Sequence, residues 1–225
     1  MKLLCIETSS MTESIALTDG SSVKASFQAH RARGHGSDLL RDIEKALSKT
    51  QWRWSDLDGF GIGLGPGGFT SLRIGLATAK TLAYSLSKPL YGVSTIDIIR
   101  HAFKSERCIP LIDAKRNEVY VDCPGQGLKC LSPSILDQYL PVSEPLFFCG
   151  DGATQYQAEL KEMFPRAQVN MDPSLDVPDA VHLSQLIDPN HPAAIATLQP
   201  LYVRPSDAEL TYPDGFPDAV TQFKL

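Results

Sequence analysis

Cysteine is scarce in this sequence and follows no metal-binding pattern. The five cysteines are odd in number, and no two of them stand in the Cys-x-x-Cys spacing of a zinc site or a redox motif. Most of them fall in apolar runs that are typical of strands. We therefore expect reduced thiols in the core of a cytoplasmic protein, and no disulfide framework. They are Cys5, Cys108, Cys123, Cys130 and Cys149.

Long apolar segments and a basic surplus are also missing. No apolar run reaches the length of a membrane span, and Glu7 interrupts the first one, so we expect neither membrane contact nor a signal peptide. The chain has 21 Lys and Arg against 26 Asp and Glu, a net charge of −5. Free-standing nucleic-acid binders usually carry a basic surplus, so this class is disfavoured, although a local basic patch stays open.

No complete catalytic set is visible. The five histidines include no His-x-x-x-His pair, and no serine stands in Gly-x-Ser-x-Gly. No cysteine has a base nearby in the sequence. We therefore expect no tightly bound metal.

Glycine, in contrast, is concentrated in one stretch around which the chain is organised. Residues 59–65 alternate glycine with apolar residues, which predicts a strand, and Gly65-Pro66-Gly67-Gly68 predicts a turn. A helix over residues 69–86 follows. A strand, turn and helix of this kind can hold phosphate, but the stretch matches neither the P-loop nor the dinucleotide fingerprint. The local pattern favours glycines that serve close packing.

The predicted elements form two similar units. Three strands, a helix, a strand, a helix, a strand and a helix are followed by the same order of strands from residue 108 onward, with helices predicted over residues 133–140, 154–164 and 180–187. This order predicts two α/β lobes, residues 1–104 and 105–225, each a mixed sheet with helices, the second ending in an extended Pro-rich tail. Ligands in such folds lie in the cleft outside the strand ends.

Acidic residues fall at equivalent strand ends of the two lobes. Glu7 ends the first strand, Asp113 ends its counterpart, and Gly150-Asp151-Gly152 follows a later strand. Such acids can hold magnesium and such turns can hold phosphate, which makes Glu7, Asp113, Gly150, Asp151 and Gly152 candidate nucleotide-binding residues. However, the residues that follow Glu7 and Asp113 contain no glycine turn, and Asp113 has Lys115 and Arg116 as alternative partners.

One motif is recognisable. Gly65-Pro-Gly-Gly-Phe-Thr-Ser-Leu-Arg-Ile-Gly75 resembles the signature Gly-Pro-Gly-Ser-Phe-Thr-Gly-Leu-Arg-Ile-Gly of the TsaB (YeaZ) family. Further segments occur in the family's order up to Arg204: Ile6-Glu-Thr-Ser, His35 before a Leu-rich helix, Gly92-Val-Ser-Thr95, Ile112-Asp-Ala-Lys-Arg-Asn-Glu-Val-Tyr120, Gly150-Asp-Gly152 and Pro200-Leu-Tyr-Val-Arg204. Gly68, Ser71 and Glu7 depart from the residues that the family usually has, which are Ser, Gly and Asp.

The resemblance implies a fold and a function. The fold would be the two-lobed actin/Hsp70-like (RNase H-like) one. The function would be that of a non-catalytic subunit in the bacterial complex that transfers a threonylcarbamoyl group to the adenosine next to the anticodon of tRNA. In that pathway TsaC makes threonylcarbamoyl-adenylate, and the metal-bearing paralogue TsaD transfers the group. TsaB would hold TsaD in working form and recruit the ATPase TsaE, so that tRNA is met only through the complex.

The resemblance also implies where partners bind. TsaB proteins pair through two helices, here those beginning near residues 37 and 69, both with themselves and with TsaD. The expected partner-binding residues are His35, Leu39, Ile43, Phe69, Leu72, Arg73, Leu76, Ala79, Lys80 and Ala83. From helix phase alone, part of this set could equally face the core.

Two other functions stay open at this point. An autonomous metallo-hydrolase of the glycoprotease type would need a metal-binding set. An ATPase of the actin-like fold would need glycine phosphate loops, and ATP or ADP with Mg²⁺ at a complex interface is the cofactor that the cleft would suit.

Overall fold

Two five-stranded mixed sheets make up the protein. The computed structural model describes residues 1–31, 38–103 and 107–205, together with Thr211. The first sheet has the order β3-β2-β1-β4-β5 and is flanked by helices α1, α2 and α3. The bounds are β1 Lys2–Glu7, β2 Thr12–Asp19, β3 Ser22–His30, α1 Leu39–Thr50, β4 Gly59–Gly63, α2 Phe69–Ser85, β5 Leu90–Val93 and α3 Thr95–Phe103.

The second sheet repeats this arrangement. Its order is β8-β7-β6-β9-β10, in which β6 is the central strand, as β1 is in the first sheet. The bounds are β6 Cys108–Lys115, β7 Glu118–Cys123, β8 Gly127–Leu131, β9 Phe147–Cys149, α4 Asp151–Gln155, α5 Gln157–Met163, β10 Gln168–Val169 and α6 Ala180–Gln185, with 3₁₀ turns at Trp54–Asp56 and Pro133–Gln138. The predicted two-lobed α/β architecture, with each lobe a mixed sheet, is confirmed.

Two predicted helices differ in detail. Residues 133–138 form a 3₁₀ helix and not an α-helix, as is common for a connecting segment of this short length. The helix predicted over residues 154–164 is two short helices that meet at Tyr156, and the first begins already at Asp151. None of the helices that the structure describes is long and apolar enough to cross a membrane.

The outer face of the first sheet carries α1 and α2. Apolar side chains that alternate along β1, β2 and β4 pack there against the apolar stripes of the two helices. Leu4, Ile15, Phe60 and Ile62 are fully buried in this cluster. Burial of four such side chains contributes on the order of 6–12 kcal/mol of hydrophobic free energy before entropy is counted.

The glycine side of β4 faces the opposite way, toward α6. A Cβ atom at Gly61 would lie 2.6 Å from Leu183 Cδ2, 2.7 Å from Ile187 Cδ1 and 2.8 Å from Cys5 Sγ. A side chain at this position would force these three side-chain ends to move, so glycine allows α6 to lie close to the sheet. The predicted packing role of the glycine stretch is thus supported, but these glycines admit α6 and not α2.

Helix α6 belongs by sequence to the second half and by packing to the first sheet. Leu183 and Ala180 are buried with Leu3, Cys5 and Ala16. Asp179 caps the helix, and Ser14 of β2 donates to its Oδ1 over 3.1 Å. A division at residue 104 therefore separates α6 from the sheet that it covers. Helix α3 packs beside α6 and reaches the second sheet through Ile96 and Ile99.

The apolar stripes of α1 and α2 are part of the core. Leu39, Ile43, Leu72, Leu76, Ala79 and Ala83 are at most 6% exposed. The prediction that these six residues contact a partner is therefore wrong, because the sheet already occupies their side of the two helices. The small residues on α2 permit close approach to β1 and β4, and not to a second helix.

We predict that Ala79→Arg destabilises the protein by about 3–5 kcal/mol, because it places an unpaired charge in the core. Ala77 lies on the exposed side of the same helix, so Ala77→Arg is the matched control and should change stability by less than about 0.5 kcal/mol. Urea unfolding followed by circular dichroism measures both. Equal midpoints for the two variants would contradict the described packing of α2.

Candidate functional site

A cleft of about 700 Å³ lies between the lobes at the ends of their central strands. The first lobe lines it with the β1–β2 hairpin, the β4–α2 turn and the start of α2. The second lobe contributes Asp113, Lys115 and Asp151, and residues 201–205 close one side. The cleft lies outside the ends of the strands, where a ligand site was predicted from the fold.

Glu7 ends β1 beside this cleft but is fully buried. The backbone N–H of Ser9 donates to Glu7 Oε1 over 2.5 Å, and the Thr95 hydroxyl donates to Oε2 over 3.3 Å. Thr95 is the first residue of α3. The carboxylate therefore joins the end of β1 to the start of the helix that leads to the second lobe.

Gly63 explains how a carboxylate fits at this position. A Cβ atom at Gly63 would lie 1.8 Å from Glu7 Oε2, so any other residue would displace the acid. Burial raises the pKa of Glu7 above its ordinary value, although the hydrogen bonds from Ser9 and Thr95 oppose this shift. The glycine run that the sequence displays thus serves the Glu7 side chain as well as α6.

Asp113, at the end of β6, is arranged in a similar way. The backbone N–H of Lys115 donates to Asp113 Oδ1 over 2.8 Å, and Lys115 Nζ lies 2.5 Å from Oδ2. Lys115, Arg116 and Asn117 have φ near +60°, and the strand pairing shifts between Asp113 and Lys115. This bulged turn directs the Lys115 amide back toward the acid. Of the alternative partners that the sequence left open for Asp113, the structure shows Lys115.

The Gly150-Asp151-Gly152 turn packs on β6. Gly150 has φ +91°, and a Cβ atom there would lie 2.4 Å from the Leu111 carbonyl oxygen. Asp151 Oδ1 accepts the backbone N–H of Asp113 over 2.9 Å. The pKa of Asp151 is raised, first because burial desolvates its carboxylate and also because the negative charge of Asp113 is nearby. The turn therefore presents a carboxylate to the cleft.

The five predicted nucleotide-binding residues are thus only partly brought together. Asp113 and Asp151 line the cleft, whereas Glu7, Gly150 and Gly152 are buried in its supporting structure. In both lobes the amide two residues after the strand-end acid donates to that acid. These amides are the groups that a phosphate-binding hairpin would offer to a nucleotide.

The remaining predicted partner-binding residues lie on or near the exposed side of α2. Arg73 is exposed, while Phe69 and Lys80 are half-buried. The Arg73 guanidinium carbon lies 3.9 Å from the centre of the Phe69 ring. Lys80 donates to the carbonyl oxygens of Ala196 and Leu198. His35 lies outside the described residues.

A histidine pair outside the lining of the cleft carries little sequence signal. His101 of α3 and His182 of α6 bring their Nδ1 atoms within 3.2 Å, although 81 residues separate them. A pair so far apart in the sequence cannot be recognised from the spacing of its residues. Within residues 1–31, 38–103 and 107–205, no group of three or more His, Cys, Asp or Glu residues is arranged to hold a metal ion.

We predict that Glu7→Gln reduces the pH dependence of stability. A raised carboxyl pKa means that the folded state holds the proton more tightly, so its contribution is complete below the ordinary value of 4.5 and is lost as the pH rises to the folded pKa. The wild type should lose up to about 1.4 kcal/mol per pH unit in this window through Glu7. Urea unfolding from pH 4 to pH 8 tests this, and parallel curves for wild type and variant would refute it.

Comparison with known proteins places the chain in a family. The family model described as TsaD, tRNA N6-adenosine threonylcarbamoyltransferase, matches residues 28–175. The tRNA threonylcarbamoyladenosine biosynthesis protein TsaB of Bacillus subtilis is 31% identical over 145 residues, 63% of this chain and 60% of that protein. The protein of that name from Escherichia coli is 32% identical over 124 residues, 53% of each chain. The matches thus span between about half and three fifths of these relatives.

Solved structures agree on the fold. YeaZ from Pseudomonas aeruginosa superposes with a TM-score of 0.72 at 23% identity, over 90% of this chain and 100% of that one. The ethanolamine utilization protein EutJ from Carboxydothermus hydrogenoformans gives a TM-score of 0.51 at 11% identity, over 82% and 89% of the two chains. The two-lobed actin-like fold is thereby established. Since the family model matches well over half of the chain, and since its named relatives and the fold agree, this chain belongs to the TsaB (YeaZ) family.

Proposed function

We propose that this protein is a non-catalytic subunit of the complex that makes threonylcarbamoyladenosine in tRNA. It acts as the scaffold that holds a TsaD-type paralogue in working form and recruits a TsaE-type ATPase, and it meets tRNA only through that complex. Its place of action is the cytoplasm, where tRNA is modified. The names of the B. subtilis and E. coli relatives support the pathway.

One structural observation carries the non-catalytic part of the proposal. The acid that ends the central strand of each lobe accepts a hydrogen bond from its own hairpin, Glu7 from Ser9 and Asp113 from Lys115. A nucleotide phosphate would have to compete with these acids for the amides, and Asp113 and Asp151 would repel it electrostatically. In the part of the chain that the structure describes, the shape of a nucleotide cleft is therefore kept while the amides that would bind phosphate are occupied by the two acids.

The exposed side of α2 supports the scaffold part. It presents Arg73, Ala77, Thr81 and Tyr84, the last of which is 79% exposed. Arg73 and Tyr84 lie about three turns apart on the same side of the helix, and exposed aromatic residues and arginines are typical of protein interfaces. We infer that this side, and not the buried stripe, contacts the TsaD-type partner or a second copy of this chain.

We predict that Arg73→Glu weakens binding to the TsaD-type protein of the same organism by about tenfold or more, because the charge at the centre of the contact is reversed. Titration of the purified proteins measures the affinity, and mass spectrometry of tRNA nucleosides measures modification. Lys24→Glu on β3, far from α2, is the charge control.

A second control distinguishes the role of Arg73 in partner binding from its hydrogen bond within the chain. Its Nε donates to the Tyr202 hydroxyl over 2.9 Å, so Tyr202→Phe removes that bond and leaves the guanidinium in place. Binding by the Tyr202→Phe variant should match the wild type. If Arg73→Glu also binds as the wild type does, the interface lies elsewhere.

We predict that the isolated chain does not hydrolyse ATP above the background of the buffer. A phosphate-release assay with Mg²⁺ and ATP tests this, with Glu7→Ala and Asp113→Ala as the comparison. Turnover that is lost in either variant would favour the alternative of an actin-like ATPase. Nucleotide binding without turnover is compatible with the proposal, since ATP or ADP with Mg²⁺ is a candidate ligand at the interface with the partner.

A further inference from the structure

Residues 193–204 cross from the first lobe to the second along the side of the cleft. The stretch has little regular secondary structure, yet its contacts continue along almost its whole length. It begins at the edge of the first sheet, where the backbone N–H of Ala193 donates to the carbonyl oxygen of Leu90 over 2.8 Å. We call residues 193–204 the strap.

Helix α2 holds the next part of the strap. Lys80 Nζ donates to the carbonyl oxygens of Ala196 and Leu198 over 3.2 and 3.0 Å. The side chains of Ile195 and Leu198 pack on the core of the first lobe. The backbone N–H of Leu201 donates to the carbonyl oxygen of Leu64, just beyond β4, over 2.8 Å. Up to residue 201 the strap is therefore an extension of the first lobe.

Tyr202 is the last anchor on the first lobe. Its ring centre lies 4.8 Å from that of Phe69, and its hydroxyl accepts a hydrogen bond from Arg73 Nε. Arg73 also lies over the Phe69 ring. Phe69 and Arg73 belong to the first turns of α2, so Tyr202 is fixed at the edge of the cleft. Stacked rings and a cation over an aromatic face each contribute modestly, and together they form a defined attachment.

The anchors on the second lobe follow at once. Val203 packs on the cluster of Ile112, Tyr120 and Cys149. Arg204 Nη1 donates to Glu118 Oε2 on β7 over 2.7 Å. The passage from lobe to lobe therefore takes place within the two residue steps from Tyr202 to Arg204, which can span at most about 7 Å.

So short a crossing limits how far the lobes can separate. If the cleft widens by more than a few ångströms at this point, either Tyr202 must leave Phe69 and Arg73 or Arg204 must leave Glu118. We propose that the strap holds the two lobes closed over the cleft, and that release of the Tyr202 and Arg204 anchors opens it. The Arg204–Glu118 pair remains partly exposed, 18% and 37% at the two side chains, so water can replace it and the closure is reversible.

Hydrogen exchange with mass spectrometry tests the proposal on the full chain without any partner. The variant Tyr202→Ala/Arg204→Gln should exchange roughly fivefold faster or more at amides of the cleft walls, in residues 9–12, 67–72 and 151–155. Peptides from β1 and β6 should keep wild-type rates. Unchanged protection of the cleft walls in this variant would overturn the proposal.

The control variant is Tyr84→Ala/Arg166→Gln. It removes the same two residue types, but Tyr84 is exposed on α2 and Arg166 donates to the Ser143 carbonyl within the second lobe. Its cleft walls should exchange as in the wild type. Acceleration equal to that of the strap variant would show that the effect is not due to the crossing, and would overturn the proposal.

If the strap variant is destabilised as a whole, an exchange of the charges at positions 204 and 118 still tests the proposal. Arg204→Glu places two acids together and should expose the cleft walls, whereas Arg204→Glu with Glu118→Arg restores an opposite pair and should restore protection. If the double exchange protects no better than Arg204→Glu alone, the pair does not act as a latch. Because no assay here uses tRNA or a partner, failure of the strap proposal leaves the proposed function untouched.

Discussion

The close approach of α6 to the glycine side of β4 is the contact on which the two-lobed arrangement depends. Leu183 and Ile187 lie where a side chain at Gly61 would stand, so a methyl group there would force these two side chains away from the sheet. The same helix is tied to β2 through Ser14 and Asp179 and to α3 through the histidine pair. Because α6 and α3 fill the space between the sheets, what holds α6 also sets how the lobes face each other.

The repeated topology explains both the cleft and its chemistry. Two sheets of the same strand order bring the ends of β1 and β6 to one cleft, and each central strand ends in an acid. In each lobe the acid accepts a hydrogen bond from its own hairpin, so both carboxylates stabilise turns, and Glu7 also holds the start of α3. In the second lobe a further carboxylate, Asp151, accepts the Asp113 amide.

The sequence allowed much of this to be predicted, for physical reasons that differ from element to element. Alternation and helical periods report directly on which side of an element is buried, so the strands and the repeat could be located. Helix α2 was harder, because small residues four apart indicate close approach without identifying the neighbour. Ala79 and Ala83 approach the sheet and not a partner. Glycine at position 63 could have indicated a large neighbour, but not that the neighbour is the Glu7 carboxylate.

Contacts that join distant parts of the chain left no local pattern to interpret. Arg73 and Tyr202 are 129 residues apart, and Lys80 meets backbone carbonyl oxygens, which every residue possesses. Yet these contacts fix where the strap leaves the first lobe, and the packing of Val203 together with the pair of Arg204 and Glu118 fixes where it joins the second. The strap, which has little regular secondary structure, could therefore be predicted only as extended chain. Its effect on the cleft follows from the short distance between its anchors, because two residue steps cannot lengthen when the lobes move apart.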